Sequence, residues 1–245
     1  MTDVYWLEQT EGDLPHEDDW LSTTEALQQS GLRFAKRRAD WRLGRWTAKC
    51  AVAAYLNLPG DGPALADIEI RPAPSGAPEV FLANRPAAVT ISLSHRAGTA
   101  ICAVAPSGVE LGCDLEMIEP RSDAFVADYF TSEEQALVAQ ASASDRSRLV
   151  TLLWSGKESA LKALRAGLRL DTRCVTVCPT VPGSHQLSSW HPLEVHLTSG
   201  QGFHGWWQCT GDLVRTLVSV PSTAPPILLQ LSADREICNQ DFQRG

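Results

Sequence analysis

Along the chain, apolar positions keep helical spacing in some stretches and alternate with polar ones in others, so the two periods together predict a mixed α/β protein. Trp41, Ala48, Val52 and Tyr55 recur at helical spacing and predict a helix over 32–58, stopped by Pro59-Gly60; a shorter helix is expected from Ser22 to Gln29. Thr131 and Glu134 form a capping-box signal for a helix running to about Ala141. After a polar break over 142–145, a helix is expected from Arg146 to Trp154, running into or abutting a further one over 154–163. In that last helix Ala160, Leu161, Leu164 and Leu168 form one apolar stripe, and Gly167 is placed to end it.

Strands are expected over 4–7, 68–71, 88–95, 99–105, 109–117, 174–178, 193–197, 205–209 and 213–220. The alternation is cleanest in two of them. Val89, Ile91 and Leu93 face away from Thr90, Ser92 and Ser94, and the strand ends by presenting His95. Val109, Leu111, Cys113, Leu115 and Met117 share one face, with Glu110, Gly112, Asp114 and Glu116 on the other. Trp190, Trp206 and Trp207 read as core or edge packing. The order of elements suggests a duplicated α/β unit: an N-terminal half over 1–108, a C-terminal half over 109–225, and a peripheral tail over 226–245.

Composition narrows the function classes. A net charge of −8 argues against general nucleic-acid binding, and no apolar run reaches membrane-spanning length. The acidic start of the chain lacks the order of a secretory signal, so a cytoplasmic location is expected. The seven cysteines are scattered through apolar segments and read as reduced core thiols; Cys174 and Cys178 have no second ligand pair at zinc-site spacing.

Against that acidic background the basic residues are uneven. Arg38, Arg42, Arg45 and Lys49 step along one helix face, which reads either as a solvated stripe or as a site for phosphates. Asp114 and Glu116 lie side by side on one strand face, either wet or holding a hard cation through oxygen ligands. Glu158 and Lys162 project from one helix face, able to hold a cation and grip a phosphate; Ser155-x-x-Glu158 also fits a capping box.

The pairing of Gly112-x-Asp114-x-Glu116 with Trp154-x-x-Lys157-Glu158-Ser159-x-x-Lys162 resembles the 4′-phosphopantetheinyl transferases, in particular the larger, monomeric Sfp-like group with two pseudo-repeated halves. The resemblance covers roughly residues 30–165 and implies two similar α/β halves with the active site in the cleft between them. It implies Mg²⁺, or Mn²⁺ in its place, on Asp114, Glu116 and Glu158, with coenzyme A as substrate. Ser94 and His95 match the family's CoA-binding strand end, His95 at the 3′-phosphate. Lys157 and Lys162 match its helix lysines, Lys162 at the pyrophosphate. Where the family often has Gly-Lys-Pro, this chain has Gly76-Ala77-Pro78, so a cationic contact usual there is missing. Arg38 and Arg45, then Arg42, are expected at the CoA phosphates.

The implied reaction moves the phosphopantetheine arm of CoA to a serine of an acyl- or peptidyl-carrier protein, releasing 3′,5′-ADP. Glu158 is the expected base, with Glu116 as the alternative because a cation lowers the proton affinity of the glutamate it binds. Lys162 shares the charge developing on the phosphates. An acidic carrier is the expected partner, with Arg146, Arg148 and Arg165 as docking candidates, and neither nucleic acid nor membrane. The rival readings are a CoA- or nucleotide-binding regulator without chemistry, and a structural α/β domain.

Overall fold

The computed structural model describes residues 2–180 and 187–231. Strand β1 (Tyr5–Thr10) leads through helix α1 (Thr23–Ser30) into the long helix α2 (Ala35–Leu56) and a single turn, α3 (Gly62–Leu65). Strands β2 (Ile68–Pro72), β3 (Pro78–Leu82), β4 (Arg85–Pro86), β5 (Val89–Arg96) and β6 (Thr99–Pro106) follow. Then come β7 (Glu110–Met117), helices α4 (Asp123–Tyr129), α5 (Ser132–Gln140) and α6 (Ala143–Ala163), and strands β8 (Val175–Pro179), β9 (His191–Leu197), β10 (Gly202–Thr210) and β11 (Leu213–Val220). A last strand, β12 (Ile227–Leu228), returns to pair with β1. The mixed α/β class read from the sequence is the one observed.

The two halves repeat one topology. In the second, the sheet order is β7-β11-β10-β9-β8; in the first, β1-β6-β5 continues through β12 on one side, while β2-β3-β4 forms a separate sheet whose β3 packs beside β5. Taken by position, each half has its first strand next to its last, then the others in reverse. A long helix, α2 or α6, covers each sheet and gives each half its own core. A third apolar cluster joins them: Val4, Ile101, Ala103 and Ala105 from β6 and the chain before β1 pack on Val109, Leu111, Cys113, Leu115 and Leu217. Arg215 on β11 reaches across to Glu8 on β1, its Nη2 donating to Oε1 at 2.6 Å.

The repetition extends to a buried ion pair. Ser22 caps α1, and its capping-box partner Glu25 takes the Lys49 ammonium of α2 at 2.5 Å while accepting the Ile70 N–H of β2. Thr131 caps α5, and its partner Glu134 takes the Lys157 ammonium of α6 at 2.7 Å while accepting the Val177 N–H of β8. All four charged groups are fully out of solvent or nearly so. Their remaining hydrogen-bonding capacity is used as well: Lys49 donates to Trp20 O, and Lys157 to Thr172 O and Val175 O. A buried pair left without such partners would be a net cost.

Several boundaries differ from the sequence expectation. The helices expected over 146–154 and 154–163 are one helix, N-capped by Ser142, so Ser155 sits mid-helix and forms no capping box with Glu158. That helix does not run to Gly167: it ends at Ala163, with Arg165 in the left-handed conformation at φ 52°. Leu168, counted in the apolar stripe, lies beyond the helix, and its side chain is outside the described residues. On the acidic face of β7, α6 covers Asp114 and half-buries Glu116, while Glu110 at the start of the strand stays exposed. The stretch after Pro221 is not wholly peripheral: Ile227 and Leu229 donate backbone bonds to Val4 and Trp6. Residues 232–245, Cys238 among them, lie outside the described residues. The other six cysteines are free, and burial pushes the Cys50 thiol up to about 12.

β7 and α6 meet backbone to backbone at Gly112, where a Cβ would stand 1.8 Å from Ser159 O and 2.8 Å from Ala163 N. Both are backbone atoms, so the clash has no side chain that could swing aside. Gly112→Ala is expected to cost roughly 3 kcal/mol or more. Thermal unfolding of the variant measures it; a melting temperature equal to the parent's would refute the contact.

Candidate active site

Asp114 stands at the centre of the C-terminal half. Its carboxylate is buried, and three groups donate to it: Ser94 Oγ from β5 at 2.8 Å and Lys162 Nζ from α6 at 2.7 Å, both to Oδ1, and Ser155 Oγ from α6 at 2.8 Å to Oδ2. Ser155 and Ser159 also share hydrogen bonds with Thr216 of β11, so the helix is fixed on the strands by a hydroxyl cluster under the carboxylate. Ser92 accepts the Cys113 N–H at 2.9 Å, which with Ser94 ties β5 to β7 across the seam of the two halves.

Glu116 and Glu158 flank Asp114. Glu116 accepts the Trp154 indole N–H at 3.1 Å and has Arg121 at 3.5 Å and Arg96 at 3.7 Å. Burial first, and then the charge of Asp114, raise its pKa, while Arg121 and Arg96 pull the other way. Glu158 accepts no hydrogen bond among the described residues; burial and then Asp114 raise its pKa, with Lys162 opposing. Burial disfavours the Lys162 ammonium, but Asp114 and Glu158 leave its pKa above the ordinary lysine value. Among the described residues, no three His, Cys, Asp or Glu side chains are drawn together tightly enough to chelate a metal as they stand. Yet the donor chemistry fits a hard divalent cation: three carboxylates share this region, the charge of Asp114 adds to burial in raising the proton affinity of Glu116 and Glu158, and a cation would relieve that.

Beside this cluster lies a cleft of about 710 Å³ between the halves. The first half contributes Arg45, the 75–78 loop and β5 out to His95; the second contributes the start of β7 and the end of α6 with Lys162 and Arg165. Arg45 is only 14% exposed, stacks over Trp41 at 5.1 Å, and stands 3.8 Å from Glu25 without a hydrogen bond among the described residues. Burial lowers its pKa, opposed by Glu25 and Glu69. A buried guanidinium with open donors facing a cleft suits a phosphate. A second groove of about 470 Å³, lined by Phe34, Lys36, Arg37, Asp40 and Trp41, meets the first at the exposed His95.

Three sequence assignments change. Lys157 is no cleft residue: it is buried in the ion pair with Glu134. Arg42 is spent on Asp18 at 2.7 Å and on Pro15 O. Arg38 lines neither cavity and donates to Leu32 O. Of the expected cationic stripe only Arg45 faces the cleft, because Arg42 and Lys49 meet acids of the segment before α2. Of the docking candidates, Arg146 and Arg148 are paired with Asp123 and Asp145, while Arg165 is on the cleft wall. Lys36, Arg37, Trp154 and Arg121 were not singled out for these places; Trp154 carried a signal, being four positions before Glu158 on the same helix.

Residues 110–210 match the family model of the ACPS 4′-phosphopantetheinyl transferase superfamily. The matched segment runs from β7 to the end of β10 and so contains Asp114, Glu116, Glu158 and Lys162, but neither Arg45 nor His95. Over that segment the chain is similar to the phosphopantetheinyl transferases. No curated protein matches the chain. Among solved structures, the holo-acyl-carrier-protein synthase of Thermotoga maritima is 17% identical over 52% of this chain and 74% of its own, with a TM-score of 0.33. A likeness of that size carries no argument about the site.

Lys157→Met is expected to cost roughly 3–5 kcal/mol by leaving Glu134 unpaired, with KM for CoA unchanged below the melting transition. A raised KM in stable protein would return Lys157 to the ligand. For Glu158 the folded pKa lies above the ordinary 4.5, so its contribution to stability is present below that value and is lost as pH rises through the raised one. Metal-free Glu158→Gln protein should therefore melt above the parent at neutral pH, the gap closing on acidification. Equal melting curves at all pH values would remove the crowding inferred among the three acids.

Proposed function

We propose that the protein transfers the 4′-phosphopantetheine arm of coenzyme A to a serine hydroxyl of an apo acyl- or peptidyl-carrier protein, releasing 3′,5′-ADP, in a Mg²⁺-dependent reaction. One observation carries the reading: Lys162, which with Arg45 walls a cleft between two α/β halves, is bonded to Asp114 of a three-carboxylate cluster inside the segment that matches the superfamily. In this reading the halves are 1–108 and 109–225, as in the Sfp-like group, and the enzyme acts as a cytoplasmic monomer, since one chain supplies both cleft walls.

Asp114, Glu116 and Glu158 would hold the divalent cation. When bound, the ion neutralises charge on the pyrophosphate and on the departing 3′,5′-ADP. Lys162 is held at the cleft by Asp114 and Cys113 O, with its charge secured by its acidic neighbours, and it stabilises negative charge on the phosphoryl oxygens. Arg45, with Lys36, Arg37 and His95 around the adjoining groove, binds the phosphates of CoA. Glu158 is placed as the base for the serine proton, directly or through a water, because its oxygens carry no hydrogen bond among the described residues; bound to the ion its own proton affinity falls, which favours the route through the water. Glu116 is held by Trp154 and has Arg121 and Arg96 beside it, which suits it to binding the ion rather than accepting a proton.

The test is to incubate the protein with CoA, Mg²⁺ and a panel of apo-carriers and to weigh the carrier. One added arm per acceptor serine is expected, and Lys162→Ala should lower turnover roughly 100-fold. CoA binding with no gain in carrier mass across the panel would favour the regulatory reading instead.

A further inference from the structure

Helix α6 closes with two backbone bonds: Ala166 N–H to Leu161 O at 3.1 Å and Arg165 N–H to Lys162 O at 2.9 Å. This pattern places Arg165 in the left-handed conformation, at φ 52°. Glycine is the unstrained residue at that position, and any side chain with a Cβ there carries a backbone cost. Arg165 does not repay it by burial, since its side chain is half exposed, nor by a firm ion pair, since its nearest acid, Glu79, is 3.8 Å away. What it does reach is the cleft, whose lining it shares with Gly76, Ala77 and Pro78.

That loop is where the sequence lacks the cation expected from its resemblance, with Ala77 in the lysine's place. Arg169 binds the same loop from the second half, donating to Ser75 O at 3.0 Å, so the loop and the end of α6 are held together across the cleft mouth. We infer that Arg165 is a substrate-binding residue that supplies, from the second half, the positive charge missing from the 75–78 loop, and that it contacts a phosphate group of the ligand in the cleft. With Arg45 of α2 and Lys162 of α6 it gives the cleft three cations, Arg165 itself coming from the turn that follows α6. The ligand's identity as coenzyme A rests on the function proposed above.

The variant Arg165→Gly separates the two consequences of the inference, because they have opposite signs. It relieves the left-handed backbone, so its melting temperature should rise; it removes a phosphate donor, so the Kd for CoA measured by calorimetry should weaken about tenfold, the usual worth of one charged hydrogen bond. KM for CoA should rise with kcat little changed. Adding Ala77→Lys to Arg165→Gly should recover most of the affinity, as a role in packing alone would not. Repeating the titration with dephospho-CoA identifies the phosphate: if the 3′-phosphate is the partner, the parent's advantage over the variant disappears. Unchanged CoA affinity in Arg165→Gly, or no recovery with lysine at 77, overturns the inference while leaving transfer activity intact. Failure of the parent protein to bind CoA at all overturns the reading of the cleft, and this inference with it.

Discussion

The structure depends on how closely β7 can approach α6. At Gly112 the strand backbone lies directly under Ser159 O, with no space for even one methyl group. Only at that distance do side chains two and four positions further along the strand meet the helix: Asp114 receives Ser155 and Lys162, and Glu116 receives Trp154. A glycine therefore fixes the depth at which an acid, a lysine and two further glutamates share one low-dielectric region. The hydroxyls of Ser155, Ser159 and Thr216 fill the remaining gap with satisfied polar contacts, so a carboxylate can be buried there without being orphaned.

The same frame exists twice, and the comparison separates scaffold from chemistry. In α2 the run Trp46-Thr47-x-Lys49 occupies the place that Trp154-Ser155-x-Lys157 holds in α6. Each lysine enters its buried pair with a capping-box glutamate from the preceding helix, and each glutamate then anchors the strand that follows. The tryptophan, the hydroxyl and the lysine are thus common to both halves. The positions after them are not: Glu158 and Lys162 in the second half face Cys50 and Ala54 in the first. The first half kept the architecture and gives the cleft Arg45 and His95; the second added the acids.

Much of this was legible in the chain. The alternation in β5 and β7 located both strands to within a residue, and the capping-box signal at Thr131 and Glu134 located α5, because these patterns report local geometry. What periodicity could not show was which charges would be consumed by partners distant in sequence. Lys157 and Lys162 are both lysines of one helix, yet one is sealed under Glu134 and the other opens on the cleft. Arg42 and Arg45 differ likewise, since Asp18 comes from a loop whose path the sequence does not describe. Of the separate sheet only β2 was expected, over 68–71; β3 and β4 escaped notice because Pro, Gly and Ala dominate their surroundings, and those residues signal loops. The repeated Trp-hydroxyl-x-Lys run would have revealed the duplication and assigned Lys157 to the scaffold.

Charge placement then explains how an acidic protein presents a basic cleft. Cations whose partners are fixed by the fold contribute nothing to the field outside: Lys49, Lys157, Arg42 and Arg215 each face an acid within 3 Å. Arg45 is different, because Glu25 is shared with Lys49 and stands too far from the guanidinium to satisfy it. Lys162 is different in another way. Its acid, Asp114, already accepts two serine hydroxyls, and Glu116 and Glu158 crowd the same space with carboxylates that burial would rather see neutral. The site therefore holds an unmet demand for positive charge on one side and unmet donors on the other. On the proposed function, a divalent ion carried in by a polyphosphorylated ligand would answer both at once.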